Sequence, residues 1–178
     1  LNAARELAPA AIHVVYGHRG GALMEAYDDA GDLRWIHQAE QRGTGHAVAL
    51  ALAHIDSDAR VLVLYGDVPL LTAQTLRPLT EAPTRLAVLT AHLDDPHGYG
   101  RVLTDASGRV TRIVEERDAS AEERRVRVVN TGVVAAQAGA LRHWLSQVRP
   151  DNSQGEFYLT DVFALATADD APALAIPC

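Results

Sequence analysis

Short apolar runs alternate along the chain with stretches whose apolar residues recur at helical spacing. The longest apolar run, ARVLVLYGDVPLL over residues 59–71, has the pattern of a strand buried on both faces. Strands that alternate with helices at this spacing predict βαβ units and a mainly parallel sheet with right-handed crossovers. The other elements predicted for the first half are strands at 11–16, 33–40 and 85–93 and helices at 21–30, 43–58 and 72–82.

The second half of the chain has a different pattern. Two alternating runs within residues 100–116 flank a turn at 105–108, which predicts a β-hairpin. The remaining predicted elements are strands at 127–136 and 171–178 and helices at 138–148 and 155–170. We therefore expect an α/β fold in which a hairpin interrupts the second half of a mainly parallel sheet.

Composition narrows the class of protein. A chain of 178 residues with 48% apolar side chains is typical of one globular domain. Its net charge of -7, with both signs interspersed, argues against nucleic acid or an anionic membrane as a partner. The single cysteine, Cys178, excludes an intrachain disulfide, and we see no signal segment or apolar run long enough to span a membrane. A cytoplasmic location is the resulting expectation.

The joint between the predicted strand at 33–40 and the following helix is rich in polar and small residues. Thr44 is predicted to cap the helix, with Gly43 and Gly45 beside it, so that free backbone N–H groups face an anion or a carbonyl-rich ring. Gln38 adds an amide that can contact the edge of a base. The alternative is a tight, well-capped turn with no ligand, because a lone Gly-Thr-Gly is a weak motif.

Asp67 directly follows the longest apolar run. In open α/β sheets, ligands bind beyond the carboxyl ends of the strands, so a carboxylate at this point is suited to a functional site. One aspartate can hold Mg²⁺ when phosphates and water fill the other positions. The alternative is an ordinary turn or helix cap.

Polar residues also follow strands in the second half. Gly100 ends a Gly-Tyr-Gly turn, Glu115 ends the hairpin, and Asn130 opens the run NTGVV after a strand; a carboxylate and an amide at two strand ends suit sugar hydroxyls. Each of them is also common in turns and caps. Asp94 and Asp95 allow comparison with the paired aspartates of metal-dependent glycosyltransferases, although a solvated turn explains them equally well. The histidines, His46 among them, show no metal-ligand spacing and are interpreted as structural.

Seven motifs occur together in one order: YGH, QAEQRGTGHA, LYGDVPLL, DDPHGYGR, IVEERDAS, VNTG and QGEFYLTD. In this order they resemble the uridylyltransferase domain of the bacterial bifunctional N-acetylglucosamine-1-phosphate uridylyltransferase/glucosamine-1-phosphate N-acetyltransferase family, from about residue 11 to about residue 165. The resemblance implies a Rossmann-like nucleotidyltransferase fold, the one shared by nucleotide-diphospho-sugar transferases. It also implies an enzyme that joins UTP and N-acetylglucosamine 1-phosphate into UDP-N-acetylglucosamine, used in peptidoglycan and lipopolysaccharide synthesis, and pyrophosphate.

The resemblance assigns roles to the candidate residues by their match to the family motifs. It implies that Gln38, Gly43 and Thr44 contact the uracil end of the nucleotide, and that Gly100, Glu115 and Asn130 hold the sugar. It further implies that Tyr65 and Gly66 lie along the nucleotide and that Asp67 is the catalytic residue that binds Mg²⁺.

The resemblance also implies parts that these 178 residues do not include. We expect a first strand with a Gly-rich phosphate loop and a catalytic lysine before residue 1, and an asparagine metal ligand after residue 178. A C-terminal β-helix domain, through which the family forms homotrimers, is likewise expected outside the chain. Residues 1–178 are therefore expected to form one partial domain that is poorly stable and inactive alone. Two alternatives stay open: a pyrophosphorylase for dTTP or another sugar 1-phosphate, and a non-catalytic nucleotide-sugar-binding domain.

Overall fold

The computed structural model of the chain describes residues 1–18, 20–27, 30–68 and 70–178. The strands are β1 (Ile12–Tyr16), β2 (Leu33–His37), β3 (Arg60–Val63), β4 (Leu86–His92), β5 (Arg101–Thr104), β6 (Arg109–Val114), β7 (Val128–Gln137) and β8 (Ala173–Pro177). The α-helices are α1 (Asn2–Arg5), α2 (Gly21–Ala26), α3 (Thr44–Leu52), α4 (Ala73–Glu81), α5 (Ala138–Leu145) and α6 (Val162–Ala168). Two 3₁₀ turns are Glu123–Arg125 and Leu159–Asp161.

The strands form two sheets. Strands β1 and β2 pair in parallel by themselves, and the other six form a sheet in the order β3-β7-β4-β8-β6-β5. Strand β7 is antiparallel to both β3 and β4, and β4 pairs in parallel with β8. The expectation of a mainly parallel sheet is therefore wrong for the larger sheet, which is mixed. The alternation of apolar residues specifies which face a strand buries but not the direction in which it runs.

The core of the six-stranded sheet lies on both of its faces. On β4, Leu86 and Val88 point into the apolar cluster that is covered by α3, α5 and α6. Ala87 and Leu89 point into the opposite cluster, which is covered by α4 with a contribution from α1. Because β4 is buried on both faces, it is a central strand with helices on each side.

Most predicted elements are present, including the hairpin formed by β5 and β6. Several are shorter than expected, among them the helix predicted at 43–58, which is regular only over α3. Among the described residues of the strand predicted at 59–71, only β3 is regular, and it is half-buried because it lies at the edge of its sheet; residue 69 lies outside the described residues. The helix predicted at 155–170 begins only with the 3₁₀ turn at Leu159. The helix predicted at 21–30 is confirmed over α2, and residues 28 and 29 lie outside the described residues.

Within the described part of the chain, no helix has the length and apolar character needed to span a membrane.

Candidate functional site

The joint between β2 and α3 is built around glycine. Gly43 has a φ of 106°, and a Cβ there would lie 2.6 Å from the Phe157 carbonyl oxygen. Gly45 donates its N–H to that same oxygen at 2.8 Å, and Phe157 donates to the Arg42 carbonyl at 2.8 Å. The backbone around Phe157 therefore lies directly against the joint, at a distance that larger residues would not allow.

The prediction that Thr44 caps α3 is wrong. The cap position is Gly43, which has no side chain, and Thr44 is the first helical residue. The Thr44 hydroxyl instead accepts a hydrogen bond from the Leu159 N–H at 3.0 Å. Thr44 thus connects the joint to the 3₁₀ turn Leu159–Asp161, a contact that the sequence pattern does not indicate.

Gln38 lies at the joint as predicted, and only 9% of the residue is exposed. Its amide nitrogen donates to the Gly43 carbonyl at 3.2 Å and lies 3.0 Å from His46 Nδ1. Gln38 therefore holds the joint in shape through its nitrogen. The Gly43 carbonyl, which can only accept, fixes the orientation of this amide, and His46, interpreted from sequence as structural, lies beside it.

Tyr65 lies just beyond β3 and links the two halves of the site. Its ring packs against Gly132, where an added Cβ would lie 2.2 Å from Tyr65 Cε2. Burial raises the pKa of the Tyr65 hydroxyl, the nearby Thr44 side chain opposes this, and the charges of Glu115 and Asp67 raise the pKa further. Tyr65 is therefore a neutral hydroxyl near residues from both predicted subsites.

Gly100, Glu115 and Asn130 lie together. Asn130 donates its N–H to the Gly100 carbonyl at 2.9 Å, and a Cβ on Gly100 would lie 3.2 Å from Glu115 Oε2. The Asn130 side-chain oxygen accepts from the Gly132 N–H at 2.9 Å, which fixes the amide. The three residues named from the sequence as sugar contacts are thus brought together by β5, β6 and β7. The expectation that Asn130 follows a strand is wrong, because it lies inside β7.

An ion pair stabilises the backbone next to Gly100 and Glu115. Arg101 is 2% exposed, contacts Glu116 at 2.6 Å and donates to the Tyr99 carbonyl. Arg101 and Glu116 are the sequence neighbours of Gly100 and Glu115. A buried guanidinium with several partners holds the backbone on both sides of the pair.

Carboxylates cluster around Glu115. Its Oε1 accepts a hydrogen bond from the Thr160 hydroxyl at 3.0 Å. Burial raises the pKa of Glu115, and the Thr160 hydrogen bond opposes that rise. Burial, together with the charges of Glu115 and Asp118, raises the pKa of Asp161 to about 6. Sequence reasoning missed Thr160 and Asp161, which lie in the quoted motif QGEFYLTD but were given no role.

Gly66 and Asp67 lie exposed in a turn beyond β3, the position predicted for a ligand site. Among the residues that the structure describes, no three or more His, Cys, Asp or Glu side chains group to hold a metal ion. An exposed carboxylate still fits Mg²⁺ bound by one protein ligand with phosphate and water. Asp94 and Asp95 do not form a paired site: Asp94 contacts Arg127 at 3.3 Å, and Asp95 accepts from the His97 N–H at 3.1 Å.

Comparison with known proteins gives one family and a set of similar chains. Residues 1–130 match the family model of the MobA-like NTP transferase domain. The chain is 60% identical over 171 residues to the bifunctional protein GlmU of Stenotrophomonas maltophilia (strain R551-3), covering 96% of this chain and 38% of that relative. It is 57% identical over 170 residues to the bifunctional protein GlmU of Xanthomonas euvesicatoria pv. vesicatoria (strain 85-10), covering 96% of this chain and 37% of that relative. The chain thus spans little more than a third of these relatives.

A solved structure shares the fold. This is the crystal structure of UDP-glucose pyrophosphorylase complexed with UDP-glucose. The match covers 99% of this chain and 75% of the pyrophosphorylase chain, with a TM-score of 0.74 and 16% sequence identity. The nucleotidyltransferase fold expected from the sequence is confirmed by this match.

Proposed function

The chain belongs to the MobA-like NTP transferase domain family, and we propose on that premise that it supplies the nucleotide- and sugar-binding residues of a uridylyltransferase. The proposed reaction joins UTP and N-acetylglucosamine 1-phosphate to give UDP-N-acetylglucosamine and pyrophosphate. The similarity to two proteins named GlmU supports this choice of reaction.

The proximity of the two predicted subsites supports the proposal most strongly. The Tyr65 ring packs against Gly132, whose N–H binds Asn130 on the sugar side, and the Thr44 side chain on the nucleotide side acts on the pKa of the Tyr65 hydroxyl. Thr44 and Glu115 are also joined through neighbouring residues, since Leu159 donates to Thr44 and Thr160 donates to Glu115. Such proximity is required when one substrate must attack the other.

The reaction needs no nucleophile from the protein. A phosphate oxygen of the sugar phosphate attacks the α-phosphorus of UTP, a new P–O bond forms, and the bond to the β-phosphate breaks to release pyrophosphate. The task of the protein is to position the substrates and to stabilise charge. For the sugar, Glu115 offers a carboxylate acceptor, and Asn130 offers Nδ2 as a donor because its Oδ1 is held by Gly132.

On the nucleotide side, we propose that Gln38, Gly43 and Thr44 lie along the uracil and that Tyr65 and Gly66 lie along the remainder of the nucleotide. Nucleotidyl transfer generally uses a divalent metal, and we propose that Asp67 holds Mg²⁺, which neutralises phosphate charge when bound. A homotrimeric assembly through other parts of a longer protein and a cytoplasmic location remain predictions.

An exchange of segments tests the function. In this experiment the chain replaces the matching segment of the S. maltophilia relative, and the product is referred to below as the chimera. We expect the chimera to release pyrophosphate from UTP and N-acetylglucosamine 1-phosphate in the presence of Mg²⁺. Preference for dTTP or another sugar 1-phosphate contradicts the proposed specificity. Binding of UDP-N-acetylglucosamine without turnover contradicts the enzymatic proposal and favours a binding domain.

The role of Gln38 is tested by Gln38→Ala in the chimera. We expect the KM for UTP to rise about tenfold, the effect of one lost buried hydrogen-bonding group, while the KM for the sugar phosphate changes little. Gln147→Ala is the matched control, because Gln147 is exposed and contacts His143 rather than the site. An equal loss for both substrates contradicts the assignment of Gln38 to the uracil.

A further inference from the structure

Thr160 has a buried hydroxyl at the centre of the site that no predicted role explains. It lies in the 3₁₀ turn Leu159–Asp161, and the residue is 6% exposed. The hydroxyl donates to Glu115 Oε1 at 3.0 Å across a separation of 45 residues in sequence. A hydroxyl donor to a buried carboxylate forms one of the stronger hydrogen bonds in proteins, so this contact fixes the carboxylate orientation.

The position of the Thr160 hydroxyl is itself fixed by the backbone before it. Leu159 donates its N–H to Thr44, and Phe157 both accepts from Gly45 and donates to Arg42. The turn is therefore anchored to the start of α3 by three hydrogen bonds that do not involve the Thr160 side chain. A change of that side chain leaves these bonds in place.

The two oxygens of Glu115 have different surroundings. Oε1 is bound by Thr160, whereas Oε2 lies on the side of Gly100, 3.2 Å from the position that a Gly100 Cβ would take. The missing side chain at Gly100 leaves room beside Oε2. With Oε1 held, Glu115 presents Oε2 to that space.

We propose that Thr160 is a positioning residue for the sugar subsite: its hydroxyl holds Glu115 Oε1 so that Oε2 is turned toward the sugar. This inference rests on the proposed function, because it takes Glu115 as a sugar contact. It adds a residue from the turn after α5 to a subsite otherwise formed by β5, β6 and β7.

Thr160→Val and Thr160→Ser in the chimera test this role. Valine keeps the shape and removes the hydroxyl, so we expect the KM for N-acetylglucosamine 1-phosphate to rise about tenfold with little change in the KM for UTP. Serine keeps the donor and is expected to restore the KM to within about twofold of the unsubstituted value. Thr167→Val is the matched control, because the Thr167 hydroxyl donates only to backbone carbonyls, such as that of Thr111 at 2.9 Å.

A double variant separates positioning from a merely structural effect. If Thr160 acts through Glu115, adding Thr160→Val to Glu115→Ala weakens binding of UDP-N-acetylglucosamine no further, as measured by calorimetry without turnover. Additive losses overturn the inference, as does an unchanged KM for the sugar phosphate in an active Thr160→Val chimera. A chimera that neither forms product nor binds UDP-N-acetylglucosamine overturns the proposed function, and the inference with it. Thermal melting of each variant checks that a raised KM or weakened binding does not result from loss of folding.

Discussion

Gly132 is a single residue on which both predicted subsites depend. Its N–H holds the Asn130 amide at 2.9 Å, and the Tyr65 ring occupies the space where a side chain would be. Its φ of 83° is also unfavourable for any residue with a Cβ. One glycine thus positions both Asn130, in the predicted sugar subsite, and Tyr65, in the predicted nucleotide subsite.

We expect Gly132→Ala to lower the free energy of unfolding by about 2 to 4 kcal/mol, from backbone strain together with overpacking against Tyr65. Gly108→Ala separates the two effects. Gly108 has a similar φ of 80°, but nothing lies within 4 Å of its added Cβ, so a loss of only about 1 kcal/mol is expected. Urea denaturation of both variants measures the difference, and equal losses contradict the steric part of the argument.

Asp161 makes the stability of the protein depend on pH. Its pKa in the folded chain is about 6, against an ordinary value of 3.8, because it is buried near the charges of Glu115 and Asp118. Between these two values the folded state binds more protons than the unfolded state. The free energy of unfolding contributed by this group is therefore fully present below pH 3.8 and falls as the pH rises through about 6.

Asp161→Asn removes this dependence. We expect the variant to gain stability relative to the unsubstituted protein as the pH is raised from 4 to 7, as measured by urea denaturation across that range. Asp58→Asn, at an exposed position before β3, is the control for the effect on stability of replacing an aspartate by an asparagine. A stability difference for Asp161→Asn that does not change with pH contradicts the raised pKa.

The candidate residues could be located from the sequence, and their partners could not. Glu115 was found because polar residues after apolar runs lie at one edge of a sheet, whereas Gly100 and Asn130 were assigned through their motifs, and Asn130 lies inside β7. Thr160 and Asp161 reach the same place from a turn more than 40 residues beyond Glu115 in the chain, as the Thr160 bond to Glu115 shows. Local periodicity carries no information on such a contact, and only the fold supplies it.

At the scale of elements, the same limit applies to strand direction and helix starts. Apolar alternation located β4 and β7 correctly, but nothing local in the sequence specifies that β7 enters antiparallel between β3 and β4. The helix predicted at 155–170 starts late because the backbone near Phe157 is bonded to the joint before α3. Tertiary hydrogen bonds there replace those of a helix.

The contact between α3 and the turn at Leu159 has a measurable energy. Thr44→Val removes the acceptor for the Leu159 N–H, and Leu159 is almost completely buried. We expect a loss of about 1 to 3 kcal/mol in the free energy of unfolding, the usual cost of an unsatisfied buried donor. Thr44→Ser keeps the acceptor and serves as the control. Equal stability of the valine and serine variants, measured by urea denaturation, contradicts this contact.

At the scale of the whole molecule, the two sheets differ in how well they are supported. Strands β4 and β7 are paired on both sides and largely buried, whereas β1 and β2 form a two-stranded sheet whose residues are mostly half-buried or exposed. Helix α3 packs against β1 and against α5 and so connects the smaller sheet to the rest. A two-stranded sheet has little stability of its own.

Hydrogen exchange of the 178-residue chain tests this difference. We expect the amides of β4 and β7 to exchange only on global unfolding, whereas those of β1 and β2 exchange at least tenfold faster through local opening. Both sheets are compared within one sample, so no variant is needed. Equal protection of the two sheets contradicts the expected difference in local stability and indicates a single cooperative unit.

The segment from Phe157 to Thr160 touches the joint at one end and Glu115 at the other. A displacement of this segment at the joint would therefore move Thr160 and the Glu115 carboxylate with it. Any coupling of ligands bound at the two ends is reciprocal, because each then changes the affinity for the other by the same factor.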